Sequence, residues 1–174
     1  YGLTTGQVNT MTDPAGKIYN YSYDPNTNVL TTVIFHGSPT TTRTYVYNEP
    51  AHTGGADLPG ALTGIVDENG PRYETWDYNA SGQAIDNFQG ASANKFALTY
   101  NIDGTTTVAG PLGLSAIHTF STVNSVPLPT GVRAASIGFM DGKSRTYDNS
   151  SNETSVTDCS AKPVITCKGY ANPA

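Results

Sequence analysis

Apolar and polar residues alternate with a period of two along much of the chain. In the segment 18–23, three tyrosines fall on one side and the residues between them fall on the other. Tyr45 with Tyr47 and Trp76 with Tyr78 repeat this alternation. Successive side chains of a strand point to opposite faces of its sheet. The pattern therefore predicts β-strands with one aromatic face and one small, polar, threonine-rich face.

We expect an all-β protein built from successive antiparallel hairpins. β-Branched and aromatic residues are plentiful in the sequence, whereas strong helix formers are scarce. The predicted strands are Ile18–Tyr23, Val29–Phe35, Arg43–Tyr47, Leu62–Val66, Arg72–Tyr78, Ala84–Phe88, Lys95–Tyr100, Thr105–Val108, Ile117–Phe120 and Ser144–Tyr147.

A pair consisting of an aromatic residue followed by Asp or Asn recurs along the chain. Phe120 with Ser121 stands where a degenerate copy is expected. The residues 54–60 are predicted to form a loop insertion between two copies. The pairs are Tyr23-Asp24, Tyr47-Asn48, Tyr78-Asn79, Tyr100-Asn101 and Tyr147-Asp148.

Each copy also contains turns with Asp or Asn before Gly. Asp13–Gly16 and Asp67–Gly70 precede strands, and Gly82 and Gly104 follow the aromatic pairs. Asp and Asn side chains accept hydrogen bonds from nearby amides, and Gly adopts a positive φ without steric cost. The sequence therefore predicts a tight turn on both sides of each aromatic strand.

These repeats resemble the Rhs or YD-repeat family from about Thr10 to Tyr170, most closely between Leu62 and Phe120. The C-terminal copies depart from the pattern, because Ser replaces Gly after Asp148 and Ala161 replaces Gly in a turn expected at 158–161. The repeat signature consists of Tyr23, Asp24, Tyr47, Asn48, Gly70, Tyr78, Asn79, Gly82, Tyr100, Asn101, Gly104, Tyr147 and Asp148.

The resemblance implies a structural role. Members of the family wind hairpins into a curved, spiral open sheet that forms a shell, which encloses a toxin in bacterial polymorphic toxins. Residues 1–174 would be a single segment of about six or seven repeat units from a larger, secreted or cell-surface protein. Its expected partners are neighbouring repeats or identical chains at the sheet edges, with an enclosed toxin domain or glycans as further candidates.

The charge pattern argues against several other classes. Only 13% of the residues are charged, the formal net charge is -5, and the cations are scattered, so a nucleic-acid groove is not expected. No apolar run is long enough to cross a bilayer as a helix.

Candidate catalytic chemistry is sparse, and we expect neither an enzyme nor a cofactor or metal site. His36, His52 and His118 lack the spacing of metal ligands; His52 is expected to be solvated and His118 to belong to the wall. No nucleophile elbow is present, and no two carboxylates form an evident acid–base pair. Asp13–Gly16 resembles the self-cleavage motif of Rhs toxins, but an ordinary repeat turn is favoured because Lys17 follows it.

The two cysteines allow two interpretations. Cys159 and Cys167 could be buried free thiols, or they could form a disulfide between neighbouring strands. In the second case Cys159 would lie in a turn and Cys167 in the strand that leaves it. A bridge would indicate an extracellular or periplasmic compartment.

Two further functions compete with the scaffold hypothesis. The aromatic face could bind sugar rings, which would make the chain a carbohydrate-binding or adhesive module, although burial of the aromatic rings is favoured. Alternatively, unpaired sheet edges could join identical chains into an extracellular filament.

Overall fold

The computed structural model of the chain describes residues 2–4, 6–134, 142–161 and 165–171. The chain divides into two compact units, residues 1–95 and 96–174, with the division inside one strand. Each unit is described by itself below.

The first unit is an antiparallel sheet in which each strand from β1 to β8 pairs with the next one along the chain. Its strands are β1 (Gly2–Thr4), β2 (Gln7–Thr12), β3 (Ile18–Tyr23), β4 (Leu30–Phe35), β5 (Thr41–Tyr47), β6 (Leu62–Val66), β7 (Arg72–Tyr78) and β8 (Ala84–Gln89). The start of β9 (Ala93–Tyr100) also lies in this unit.

The second unit continues from Phe96 in β9 with the same kind of pairing between consecutive strands. Its further strands are β10 (Thr106–Ala109), β11 (Ser115–Val123), β12 (Val126–Ala134), β13 (Gly142–Tyr147), β14 (Glu153–Ala161) and β15 (Ile165–Ala171). A single turn of 3-10 helix, Pro111–Gly113, joins β10 to β11.

The predicted all-β class with successive antiparallel hairpins is confirmed. Three predicted strands, β3, β6 and β7, have the predicted bounds. The predicted strands do not include β1, β2, β12 or β14, whereas β15 contains Cys167, which the disulfide interpretation placed in a strand. β12 contains Pro127 and Pro129, which normally argue against a strand because proline has no amide hydrogen for the ladder. Both prolines precede Gly131, where the pairing of β12 with β13 begins, so neither removes a donor from that ladder.

The aromatic face of the first unit follows the predicted alternation. In β3 the three tyrosines are half-buried, whereas the residues between them are exposed. Tyr19 makes edge-to-face contacts with Phe35 and His36, at centroid distances of 5.8 and 5.3 Å. Val33, opposite Tyr21 on β4, is only 6% exposed. Burial of aromatic rings against neighbouring strands therefore stabilises this part of the sheet.

The predicted turn at 158–161 is wrong, because β14 runs without interruption from Glu153 to Ala161. In the preceding turn, Ser151 has the left-handed conformation, with φ of 68°. Its amide donates to the carbonyl of Asp148 at 3.0 Å, as the turn glycines Gly82 and Gly104 do to Asn79 and Asn101.

Replacing Ser151 with glycine is expected to raise the stability of the protein by about 0.5–1 kcal/mol, because a Cβ atom disfavours the left-handed region. Thermal unfolding followed by circular dichroism measures the change. Ser150→Gly is the matched control, since Ser150 does not have a positive φ. A gain with Ser150→Gly that equals the gain with Ser151→Gly would contradict this explanation.

Candidate functional site

A β-bulge accompanies most of the repeated aromatic residues, and it always lies on the strand that follows. The extra residues are Thr31 opposite Tyr23, Thr63 opposite Tyr47, Ile85 opposite Tyr78 and Thr154 opposite Tyr147. Phe120 also faces a bulge, at Thr130 of β12, as expected for a degenerate copy of the repeat. Tyr100 differs, because its strand pairs with β10 without a shift in register.

Two of the bulge residues hold the bulge through their own hydroxyl groups. Thr31 donates to the carbonyl of Ser22 at 3.1 Å. The Thr63 hydroxyl lies 3.1 Å from the carbonyl of Val46, and it shares its single hydrogen with a closer acceptor, the Glu49 carboxylate at 2.6 Å. In both hairpins the carbonyl belongs to the residue just before the repeated tyrosine. A threonine at this position therefore satisfies a backbone acceptor where the extra residue disturbs the ladder.

The repeated tyrosine of the next hairpin binds the backbone beside the bulge. We call this contact the tyrosine bond: the hydroxyl donates to the carbonyl of the residue that immediately precedes the bulge residue. The three instances are Tyr23 to Val8 before Asn9 at 3.0 Å, Tyr78 to Leu62 before Thr63 at 3.0 Å, and Tyr147 to Pro129 before Thr130 at 2.8 Å. Because a bulge interrupts the ladder, the tyrosine supplies a donor to a carbonyl at the interruption.

Tyr47 is an exception among the repeated tyrosines. The corresponding acceptor is the carbonyl of Leu30, which precedes the bulge residue Thr31. In the part of the chain that the structure describes, the Tyr47 hydroxyl makes no hydrogen bond. Burial raises the pKa of Tyr47, with a smaller contribution from Tyr45. The tyrosine bond is therefore missing between the hairpins of Tyr23 and Tyr47.

Replacing Tyr78 with phenylalanine is expected to cost about 1 kcal/mol, because the variant loses one hydrogen bond and keeps the ring. Tyr47→Phe is the matched control and should change the stability by less than about 0.5 kcal/mol. Urea unfolding followed by the fluorescence of Trp76, the only tryptophan, measures both variants. Equal losses from the two variants would show that the tyrosine bond does not contribute to stability.

The second residue of the repeated pair organises the turn. One carboxylate oxygen of Asp24 accepts the amides of Asn26 and Thr27, at 2.9 and 2.8 Å. Asp148 accepts the amides of Ser150 and Asn152 in the same way, at 2.8 and 2.9 Å. These hydrogen bonds favour the ionised form. The bond from the Thr27 amide is the main cause that lowers the pKa of Asp24, and the bond from the Asn152 side chain is the main cause that lowers that of Asp148.

The asparagine copies act in different ways. Asn79 accepts the amides of Ser81 and Gln83, both at 3.0 Å, which is the arrangement of Asp148. Asn101 instead donates to the hydroxyl of Thr105 at 2.8 Å. Asn48 begins the connection between β5 and β6, residues 48–61, which contains the insertion at 54–60 and which we call the inserted loop. Its side chain donates to Asp57 and accepts from the Leu58 amide, both at 2.6 Å.

The predicted turn glycines lie where a left-handed backbone is required. Gly70, Gly82 and Gly104 have φ of 94°, 79° and 81°. Each donates its amide to the carbonyl of the residue three positions earlier, at 3.0–3.1 Å for Gly70 and Gly104 and at 2.9 Å for Gly82. The turns therefore close as the sequence pattern predicts.

The inserted loop between β5 and β6 forms a polar cluster that sequence reasoning missed. Glu49 receives two hydrogen bonds from the Arg72 guanidinium, at 3.1 and 2.7 Å, and one from the Thr63 hydroxyl at 2.6 Å. Arg72 also donates to the Thr63 carbonyl at 2.7 Å and to the Thr75 hydroxyl at 2.9 Å. The Arg72 hydrogen bond is the main cause that lowers the pKa of Glu49. Arg72, which lies on β7, therefore connects the loop to the bulge of β6.

A second contact holds the same loop through His52. Its Nδ1 lies 2.6 Å from the Asp77 carboxylate, and its carbonyl accepts the Tyr78 amide at 2.8 Å. The next residue, Thr53, has no exposed surface. The expectation that His52 is a solvated loop residue is therefore wrong, because the loop folds back onto β7.

The structure also brings two carboxylates together. Asp77 and Asp86 are direct partners in the β7–β8 register. Burial is the main cause that raises the pKa of Asp86, and the neighbouring Asp77 adds to it, while Lys95 at 2.7 Å opposes the shift. His52 contacts Asp77 and Lys95 pairs with Asp86, so the four side chains form a row with the two carboxylates in the middle.

Among the described residues, no group of three or more His, Cys, Asp or Glu side chains could hold a metal ion. In the same part of the chain, no helix is long and apolar enough to span a membrane.

Asp13 accepts the amides of Ala15 and Lys17, both at 2.9 Å, and so organises a turn of the repeat type.

The cysteines lie on neighbouring strands. Cys159 is directly opposite Cys167 in the β14–β15 register, and Cys159 is disulfide-bonded. The expected position of Cys159 in a turn is wrong, because Cys159 lies within β14. The antiparallel register, rather than a tight turn, therefore brings the two positions together.

The fold and its recurring bonds define an all-β protein of hairpin repeats. No protein-family model matches the chain, and no curated protein matches it. The chain is similar in structure to part of the crystal structure of TcdB2-TccC3-Cdc42, with a TM-score of 0.51 and 13% sequence identity. The match covers 88% of this chain and only 8% of the other chain. At this level of identity, the similarity shows a related β-sheet fold.

Proposed function

We propose that the chain is a structural segment of an Rhs-type repeat protein, in which consecutive hairpins build part of a wall. The tyrosine bond is the observation that carries this proposal. It connects each of three hairpins to the backbone of the preceding one, at the bulge that the preceding copy creates. A repeat that supplies both the acceptor and the next donor can be extended by adding copies, which is the property a wall requires.

The proposal includes a non-enzymatic role in a secreted or cell-surface protein. Its support comes from the carboxylates: those of Asp13, Asp24 and Asp148 accept turn amides. Asp77 lies 2.6 Å from His52 Nδ1, and Asp86 forms an ion pair with Lys95. The expected partners are further repeats of the same kind and a polypeptide enclosed by the wall. The structural similarity to part of TcdB2-TccC3-Cdc42, at TM-score 0.51, agrees with such a role.

Limited proteolysis of the full-length gene product that contains this segment tests the proposal. A wall predicts that a polypeptide region outside the repeats resists protease until the repeats unfold. The triple variant Tyr23→Phe, Tyr78→Phe and Tyr147→Phe should make that region cleavable at a lower denaturant concentration. Tyr47→Phe is the control and should leave the cleavage pattern unchanged. If every region outside the repeats is cleaved at once in the unmodified protein, the wall proposal fails.

A further inference from the structure

A cleft opens between β4 and β5 where their ladder stops. The ladder runs from the Phe35–Thr41 pair to the Thr32–Thr44 pair, next to the bulge residue Thr31. Beyond this point lies a cavity of about 400 Å³, within the usual size range of ligand sites. We call it the β4–β5 cleft; its walls include Asp24, Thr27, Thr31, Thr44, Tyr47 and Pro59.

The corresponding position in the next hairpin is occupied by the protein's own chain. The β6–β7 ladder ends at Gly64–Thr75, next to the bulge residue Thr63. There the inserted loop supplies the carbonyl of His52 to the Tyr78 amide at 2.8 Å, and the carboxylate of Glu49 to the Thr63 hydroxyl at 2.6 Å. A short polypeptide turn is therefore the occupant that this repeat geometry accepts.

The length of the preceding connection explains why the two positions differ. Asp24 to Val29 form a short turn closed by the hydrogen bond from the Asp24 amide to the Val29 carbonyl, at 2.9 Å. This turn lines the β4–β5 cleft without crossing it. The longer loop between β5 and β6 reaches the next strand and binds Arg72. In the described chain, the Tyr47 hydroxyl also makes no hydrogen bond at the β4–β5 cleft.

The two positions carry different charged groups. At β6–β7 the sheet provides a cation, Arg72, and the loop provides the anion, Glu49. At the β4–β5 cleft the wall provides the carboxylate of Asp24. One oxygen of Asp24 accepts the turn amides, whereas Oδ2 makes no hydrogen bond among the described residues. The nearby Arg43 is not in the cleft wall and is paired with Glu68 at 2.8 Å.

We propose that the β4–β5 cleft binds a short, turn-forming segment of a partner polypeptide. The segment places a main-chain carbonyl toward the β5 backbone at Tyr47, as His52 does at Tyr78, and a Lys or Arg side chain at Asp24 Oδ2. The partner is thus basic where the protein's own loop is acidic. This proposal goes beyond the scaffold role and does not depend on it.

Nuclear magnetic resonance of the 15N-labelled 174-residue chain tests the proposal directly. The probe is a synthetic peptide of residues 49–55 that carries the replacement Glu49→Lys, compared with the unmodified peptide. We expect shifts in the amide signals of 45–48 with the Lys peptide, and about tenfold weaker binding of the unmodified peptide, since opposite charges attract and like charges repel.

Substitutions in the protein locate the binding. Asp24→Asn keeps an oxygen acceptor for the turn amides and removes the charge, and it should weaken binding of the Lys peptide about tenfold. Asp148→Asn is the matched control, because Asp148 has the same role in another turn, and binding should be unchanged. Circular dichroism should show that both variants fold.

Three outcomes would overturn the proposal. The first is the absence of shifts with the Lys peptide up to about 10 mM. The second is equal binding of the two peptides, which would remove the role of Asp24. The third is a response of the same amides to a panel of neutral monosaccharides without a response to peptide, which would identify the cleft as a sugar site instead.

Discussion

Arg72→Ala is expected to lower the free energy of unfolding by about 2–4 kcal/mol. The guanidinium makes two hydrogen bonds to Glu49 and one each to the Thr63 carbonyl and the Thr75 hydroxyl. Thr75 is only 3% exposed, and Thr63 has no exposed surface. The substitution therefore leaves the Glu49 carboxylate with the Thr63 hydroxyl but without Arg72, and it removes the Arg72 donor from the Thr63 carbonyl and the Thr75 hydroxyl. Sheltered acceptors that lose a donor cost more than the lost attraction alone.

The fluorescence of Trp76 during urea unfolding measures this effect, because Trp76 lies on the same strand as Arg72. Arg43→Ala is the matched control. Arg43 forms an ion pair with Glu68 at 2.8 Å, and its side chain is 39% exposed, so its loss should cost about 1 kcal/mol or less. If the two alanine variants lose the same stability, the polar cluster has no special contribution.

The same ion pair predicts a dependence on pH. Arg72 lowers the pKa of Glu49 below its usual 4.5. A carboxyl group with a lowered pKa stabilises the folded state above its unfolded pKa, and this contribution disappears as the pH falls through the folded pKa. Unfolding measured between about pH 6 and pH 3 should therefore show a smaller loss of stability in Arg72→Ala than in the unmodified protein.

The second large effect is expected at the cysteines. Loss of a Cys159–Cys167 bridge should destabilise the β14–β15 hairpin by about 2–3 kcal/mol, since the bridge closes a short loop of the unfolded chain. The backbone register places the two residues directly opposite each other, which gives a bridge the necessary approach. The first unit contains Trp76 and neither cysteine, so loss of the bridge should not change the fluorescence of Trp76 in the folded protein.

Thiol titration of freshly isolated protein, under denaturing and non-reducing conditions, should detect no free thiol. Hydrogen exchange at the amides of β14 should become faster in Cys159→Ser, whereas Ser155→Ala on the same strand serves as the control. Two free thiols per chain in the isolated protein would contradict the bridge. That result would also remove the main chemical argument for a secreted protein.

The sequence by itself determined the all-β class, the hairpin order and most turns. These features depend on local chemistry: alternation assigns one side of β3 to its tyrosines, and Asp24 or Asn79 accepts the amides that follow it. The turn glycines follow the same local logic. The prediction failed where residues that disfavour strands interrupt the alternation, as the two prolines do in β12.

Only the tertiary structure decided the contacts between hairpins. A bulge such as that at Thr63 depends on how two strands pair, and the tyrosine bond of Tyr78 joins residues 16 positions apart. The loop contact of Glu49 with Arg72 spans 23 positions. Alternation fixes which face a side chain occupies, but it contains no information about register or about the path of an inserted loop. Those depend on long-range pairing, which is why the polar cluster and the β4–β5 cleft could not be predicted from the sequence.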